Sequence, residues 1–415
     1  MPEITEEFAL TGSYDDIWLV AGVRTPFADY AGVLRDVSPT DLGIFAARSL
    51  FARSGIPASE VQTVIAGNVG QSSFDALYAP RHIGLYAGVP LGVPSLGVQR
   101  LCGTGFEAIL TAADQIALGR ARLALCVGTE SMSRFPIAAY THRAGFRLGQ
   151  VEFKDFLWEC TRDTASKTLM GETAENLAKR YAITREHADR YAVESFARAA
   201  RAWTEGFYVG EVEPIVNQQW PLAGYEPRSL RLADKAERLE RDDHVRPTPY
   251  EVLAKLRPAF GGVQTGGNSS AIVDGAAAVL VASGDFVRAQ GLKPLARIKA
   301  AAVAGVPPEI MGIGPVPAIR AALKKAGLAL PDIARIEVNE AFAAQYLAVE
   351  AELGLDRARV NVNGGAIAMG HPLAVSGVRL TTTVSRQLNA SDGQFAVAAA
   401  CVGGGQGIAV VLERG

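Results

Sequence analysis

The sequence predicts an α/β protein of two similar halves, with a long polar segment carried between them. Three observations lead there. Short β-branched runs alternate with Ala-rich helical stretches, which is how strands buried on both faces by helices read. Ile44–Asn68 can be laid on Val316–Glu340 without a gap at a constant offset of 272 positions, so that Ala46, Arg48 and Gly55 meet Ala318, Arg320 and Gly327. The stretch from Thr129 to Lys255 differs from both flanks: it is more polar and holds the charge-dense run Arg228–Arg246.

Taken in chain order, Ile17–Val23 reads as the first strand, Asp41–Ser54 as a helix and Val61–Gly67 as the second strand. Gly103–Leu118 is helical, and Leu123–Val127 is again a strand. Thr173–Tyr181 and Arg185–Trp203 are helical segments inside the polar stretch. Its length and its helix formers mark that stretch as an insertion folding over a shared site rather than a linker. Gly275–Ala282, Ile333–Val338 and Phe395–Ala400 are further apolar strands. Leu125-Cys126-Val127-Gly128 and Ala400-Cys401-Val402-Gly403 each end such a strand. This second match, in the same order as the first, favours duplication and pairs Cys126 with Cys401. The expected organisation is a first half of residues 1–128 with 256–290, an inserted unit of 129–255 and a second half of 291–415.

A chain of 415 residues is too long for one small core, and 49% hydrophobic with 20% charged residues is the balance of a soluble globular protein. A net charge of -2 makes no electrostatic case for nucleic acid or an anionic membrane as partner. The longest apolar runs fall short of a bilayer span. Cysteines stand at 102, 126, 160 and 401, with no Cys-x-x-Cys pair and no cluster with the five histidines. Neither a metal site nor a disulfide framework is expected. Met1–Asp16 is acidic and lacks the basic patch of a signal or transit peptide, and Glu413-Arg414-Gly415 is no peroxisomal address. The expected compartment is the cytoplasm.

Four motifs carry candidate chemistry. Cys102 stands in Arg100-Leu101-Cys102-Gly103-Thr104-Gly105, just ahead of a helix. Backbone N–H groups and the helix dipole are expected there to stabilise a thiolate and lower its pKa. Taken alone, a buried structural cysteine is the commoner case. His371 closes the glycine-dense run Asn363-Gly364-Gly365-Ala366-Ile367-Ala368-Met369-Gly370-His371, and Pro372 predicts a helix beginning at once. An imidazole is the base that an attacking thiol needs. Cys401-Val402-Gly403-Gly404-Gly405-Gln406-Gly407 ends a strand in a turn whose amides either face an oxyanion or simply reverse the chain. Asn339, in Val338-Asn339-Glu340-Ala341-Phe342, follows a buried strand at its carboxyl end, where α/β folds place function; the alternative is a helix cap.

Together and in this order these motifs resemble the thiolase family. So do Val23-Arg24-Thr25-Pro26-Phe27, Gly128-Thr129-Glu130-Ser131-Met132-Ser133, Met170-Gly171-Glu172-Thr173-Ala174-Glu175-Asn176 and Thr265-Gly266-Gly267-Asn268-Ser269. The resemblance covers nearly the whole chain. It implies a thiolase-like five-layered αβαβα sandwich of two duplicated halves, with an inserted loop domain over the coenzyme A (CoA) site. It implies an acyltransferase of fatty acid metabolism and β-oxidation, acting as a homodimer or homotetramer on acyl-CoA and CoA, with no bound cofactor or metal. Residue by residue, it implies Cys102 as the nucleophile, His371 as its base and Cys401 as the proton shuttle at the α-carbon of acetyl-CoA. Asn339 would hold a water that forms one oxyanion hole with His371, and the amides of Cys102 and Gly403 would form the other. Chemistry agrees, since an enolate and a tetrahedral oxyanion need two donor sets. Met170, Leu169, Ser269, Val252 and Phe342 are expected at the acyl and CoA site, and Arg246 reads by its charge as a phosphate partner or else as a solvated surface arginine.

The chain departs from the family pattern at informative places. The usual Gly-His-Pro-Leu-Gly-Ala-Ser-Gly is here Gly370-His371-Pro372-Leu373-Ala374-Val375-Ser376-Gly377, which is expected to narrow the channel near His371. Leu169-Met170-Gly171 replaces the His-Met-Gly common in acetoacetyl-CoA-specific enzymes, and Val252 replaces a serine. Both changes lean toward a longer or different 3-oxoacyl group. Ketoacyl synthases of the same fold pair their cysteine with two histidines, where this chain offers Asn339 and Cys401. A cysteine hydrolase and a non-catalytic scaffold are the remaining alternatives.

Overall fold

The computed structural model describes residues 4–140 and 142–415. The first half contains β1 (Ile17–Arg24), α1 (Pro39–Ser54), β2 (Thr63–Gly67), α2 (Thr104–Ala117) and β3 (Leu123–Ser131), and is completed by β4 (Val273–Ser283). Between β3 and β4 run two long helices, α3 (Met170–Arg180) and α4 (Arg185–Thr204). The second half begins with β5 (Ala296–Gly305), α5 (Pro315–Ala326), β6 (Ile333–Val338) and α6 (Ala343–Leu353). It ends with α7 (Ser376–Asn389), β7 (Phe395–Val402) and β8 (Gln406–Glu413).

The strand order is β2-β3-β4-β1 in the first half and, mirrored across the seam, β5-β8-β7-β6 in the second. The pairings match as well. β2 and β3 are parallel, as are β6 and β7, and the other neighbours in these two orders are antiparallel; the short edge strand Ser95–Gly97 adds a parallel partner to β2. Among the described residues the edge strands β1 and β5 pair at Leu19 with Ala296 and at Trp18 with Arg297. The repeat has a local physical basis too. α1 ends at Gly55 (φ 69) and α5 at Gly327 (φ 70), each donating its amide back into the last helical turn. A left-handed C-cap strains any residue with a side chain, so glycine recurs at the 272-residue offset.

Three cores separate five layers. α1 covers the outer face of the first sheet, and α5 and α6 cover the outer face of the second. Between the sheets lie α2 and α7, sharing one core with inward-facing residues of both. These two helices meet backbone to backbone. A Cβ on Gly105 would stand 2.6 Å from the Val378 nitrogen, and one on Gly377 would stand 2.2 Å from the Phe106 nitrogen.

Strand register corrects the expected pairing of Cys126 with Cys401. Ile65 pairs with Cys126, and Glu337, its equivalent at the 272 offset, pairs with Ala398. Cys126 and Ala398 both face the central core, whereas Cys401 has the opposite parity and faces away from it. A strand reverses face at every residue, so the two cysteines are not structural equivalents.

The inserted segment touches both halves. Leu177, Tyr191 and Phe196 of α3 and α4 pack into the core of the second half, while Trp220, Leu230 and Leu239 pack into that of the first. β3 runs on past residue 128 to Ser131 before the chain leaves the sheet. Among the described residues no helix is long and apolar enough to cross a membrane.

Candidate active site

Cys102 sits in the turn Leu101–Gly103 that leads into α2. Leu101 has φ 44, a left-handed conformation costly for a leucine, which marks the turn as held in place by its surroundings. The Gly403 amide stands by the Cys102 sulfur on the side that favours its thiolate. Removal of the sulfur from water pushes the thiol up to about 11, and the Glu130 carboxylate adds to the effect. This corrects the expected lowering. The Gly403 amide does favour the thiolate, but the loss of hydration outweighs it. The resting thiol is protonated and requires a base.

His371 is buried in the loop between α6 and α7, its amide bonded to the Ala271 carbonyl. Its Nδ1 lies 2.5 Å from Ser376 Oγ, which in turn lies 3.3 Å from the Pro372 carbonyl. Its Nε2 lies 3.3 Å from Asn339 Nδ2. An amide nitrogen only donates, so this network places the proton on Nδ1 and leaves Nε2 as the basic nitrogen. Burial, reinforced by the Arg379 cation, lowers the His371 pKa to about 3, so the ring is neutral and able to accept a proton. The helix predicted to begin at Pro372 begins instead at Ser376. The intervening turn presses Ala374 against the backbones of Gly105 and Gly128.

Asn339 ends β6 with its amide on the Ala399 carbonyl and its Oδ1 buried without a protein partner. It is no helix cap, because Phe342 takes that position in α6. Cys401 forms a small apolar cluster with Met311 and Ala341, flanked by Met170 and Phe342. Burial, with the neighbouring Cys102 as a second cause, holds the Cys401 thiol well above its ordinary range. Gly404 (φ 81) and Gly405 (φ 83) turn the chain after it. A Cβ on Gly403 would lie 2.9 Å from Leu101 Cδ1 and 3.7 Å from Met170 Sδ. The Cys102 turn, the Cys401 turn and the start of α3 therefore converge.

Of the other expected residues, Ser269 bridges to Phe342, and its Oγ is buried with no protein partner. Leu169 is partly buried, its amide held by Glu172. Val252 and Arg246 are exposed, and the Arg246 guanidinium lies 3.5 Å from His244 Nδ1. Ala374 and Val375 do not narrow a channel. Both are fully buried, and Val375 packs in the central core. Three features escaped sequence reasoning. One is Ser376. Another is Glu130, a buried carboxylate that accepts the Val69, Gly70 and Ala374 amides and so straps the two halves together beside the site. The third is the buried pair Arg379–Glu337. Ser376 and Glu130 lie inside the quoted motifs, which was the available signal.

Among the described residues no cluster of three or more His, Cys, Asp or Glu could hold a metal ion, and all four cysteines are free. Two thiols, a neutral imidazole and a side-chain amide, set among glycine-rich turns, are the groups that the sequence motifs singled out. The chain belongs to the thiolase family: the model of the thiolase N-terminal domain matches residues 17–285 and that of the C-terminal domain matches 292–414. It is 45% identical over 402 residues to 3-ketoacyl-CoA thiolase, mitochondrial, of Bos taurus, covering 96% of this chain and 98% of that one. It is 40% identical over 403 residues to the beta-ketothiolase BktB of Cupriavidus necator, covering 96% and 99%. The crystal structure of human mitochondrial 3-ketoacyl-CoA thiolase in complex with CoA superposes with a TM-score of 0.91 at 44% identity, covering 97% of this chain and 100% of that chain.

The expected cytoplasmic location is corrected by these findings, because the bovine, orangutan and human relatives are named as mitochondrial. Free cysteines do not single out the cytosol.

Proposed function

We propose that this chain is an acetyl-CoA C-acyltransferase of fatty acid metabolism, cleaving 3-oxoacyl-CoA with CoA or running the reverse Claisen condensation. The placing of Cys102 beside Cys401 and the Gly403 amide, together with a neutral His371 paired to Asn339, carries this reading. His371 Nε2 takes the Cys102 proton, and the sulfur attacks the 3-oxo carbon. The bond between C2 and C3 breaks, its electron pair leaves as the acetyl-CoA enolate, and Cys401 protonates C2. In the second half-reaction the CoA thiol gives its proton to the Cys401 thiolate and takes the acyl group, while His371 returns a proton to Cys102. Neutral thiols and a neutral imidazole suit this cycle, because charge arises only when substrate is present to meet it. CoA enters as substrate, and the chemistry calls for no further cofactor. The Cys102 and Gly403 amides form one donor set, and a water held by Asn339 together with the protonated His371 forms the other.

Met170, Phe342 and Met311 around Cys401 support an apolar acyl group. The relatives named for 3-ketoacyl substrates favour β-oxidation, and a homodimer or homotetramer follows from the family resemblance. The division into residues 1–128 with 256–290, 129–255 and 291–415 is retained as a proposal. CoA-dependent loss of 3-oxoacyl-CoA absorbance, measured across chain lengths with wild type and Cys102→Ala, tests the reading. Activity that vanishes in the variant supports it; full activity in the variant, or none in the wild type at any length, overturns it.

A further inference from the structure

We propose that Arg379 and Glu337, a buried ion pair outside the catalytic set, form a positioning pair that holds His371 and Asn339 in register. The inference rests on the thiolase reading above. The geometry is a closed ring. His371 Nδ1 bonds Ser376 at the start of α7, and one turn further Arg379 lies on the same face of that helix. Arg379 Nη1 meets Glu337 Oε2 at 2.8 Å, with both side chains fully buried. Glu337 lies two residues before Asn339, so both residues point from the β6 strand end to the same side, toward α7. Asn339 Nδ2 closes the ring on His371 Nε2 at 3.3 Å.

Two further contacts stiffen the ring. Gln387 Nε2 holds the other Glu337 oxygen at 2.8 Å and also reaches Asn363 Oδ1, in the loop that leads to His371, at 2.9 Å. Glu337 is thus gripped by α7 at two points and cannot slide along it. Stability alone does not explain the pair. Arg379 Nε and Nη2 are buried without a protein partner, and a buried ion pair with unmet donors contributes less than apolar residues of the same volume. What the pair does supply is a fixed distance between the two side chains that sit on His371.

The test compares wild type, Arg379→Met and the double variant Arg379→Met/Glu337→Met by thermal unfolding and by steady-state thiolysis of one 3-oxoacyl-CoA. The single variant leaves Glu337 buried without its cation, held by Gln387 alone, and is expected to lower Tm more than the double variant. The double variant is expected to fold and to lose about 10- to 100-fold in kcat with KM held, the pattern of a displaced reacting group. A folded double variant with wild-type kcat, or with raised KM and unchanged kcat, overturns the proposal. Should the double variant not fold, Arg379→Lys decides. A kcat between those of wild type and Arg379→Met at unchanged KM supports positioning, and a wild-type kcat refutes it. Wild-type protein without activity would sink the thiolase reading instead, so the two failures are distinguishable.

Discussion

Replacing Ser376 with alanine removes one hydroxyl and nothing else, and the structure sets the size of the effect. Ser376 Oγ accepts the Nδ1 proton of His371 at 2.5 Å in a buried setting. Alanine leaves that N–H without a partner where water does not readily enter. A buried unpaired donor costs about 1–3 kcal/mol. Part of this cost is spent as ring rotation, and part as the rise of the tautomer that puts the proton on Nε2, where it clashes with the Asn339 amide and cannot accept from Cys102. With each 1.36 kcal/mol worth about a factor of ten, kcat for thiolysis should fall by about tenfold to a hundredfold. KM should hold, because Ser376 is bonded to His371 and the Pro372 carbonyl and to nothing in the apolar cluster around Cys401. The assay is steady-state thiolysis, with circular dichroism to check folding. A folded Ser376→Ala variant with kcat within about twofold of wild type would refute the tautomer argument and, with it, Nε2 as the basic nitrogen.

Two other outcomes follow from the site and the seam. The Cys102 thiol is raised to about 11, so its thiolate fraction grows as pH climbs towards that value. Iodoacetamide labelling of the Cys102 peptide in the free enzyme, followed by mass spectrometry, should therefore be slow at neutral pH and still be rising at pH ~10; a plateau below pH ~8 would refute the raised value. Gly377→Ala places a methyl group 2.2 Å from the Phe106 nitrogen, forcing α2 and α7 apart. It should cost about 1–3 kcal/mol in thermal or urea unfolding, and an unchanged midpoint would mean that the helices separate freely.

The fold was legible wherever local chemistry repeats. Gly55 and Gly327 announce the same left-handed helix ends, and the strand Ile333–Val338 runs as read from its β-branched residues. The thiolase motifs pointed to the site because each is short and continuous in sequence. What stayed hidden depends on partners far away in the chain. Glu130 meets Ala374 only once the halves have docked, and Glu337 meets Arg379 only once α7 has packed on β6. The protonation state of Cys102 was misread for the same reason: a helix start is visible in sequence, whereas the loss of water is not. The Cys126–Cys401 pairing failed because similar letters occur on opposite faces of equivalent strands. Strand register, which only pairing fixes, separates them.

The glycine crossing of α2 and α7 has a mechanical meaning. Each helix touches the other at its second residue, close to the reacting group it follows: Cys102 before one, His371 before the other. No layer of side chains lies between them to absorb displacement, so the crossing acts as a fulcrum set next to the chemistry. A small tilt of one half against the other moves the far ends of the helices widely, yet barely changes the separation of nucleophile and base. The duplicated architecture thereby ties the spacing of the Cys102 and His371 segments to a backbone contact between its halves.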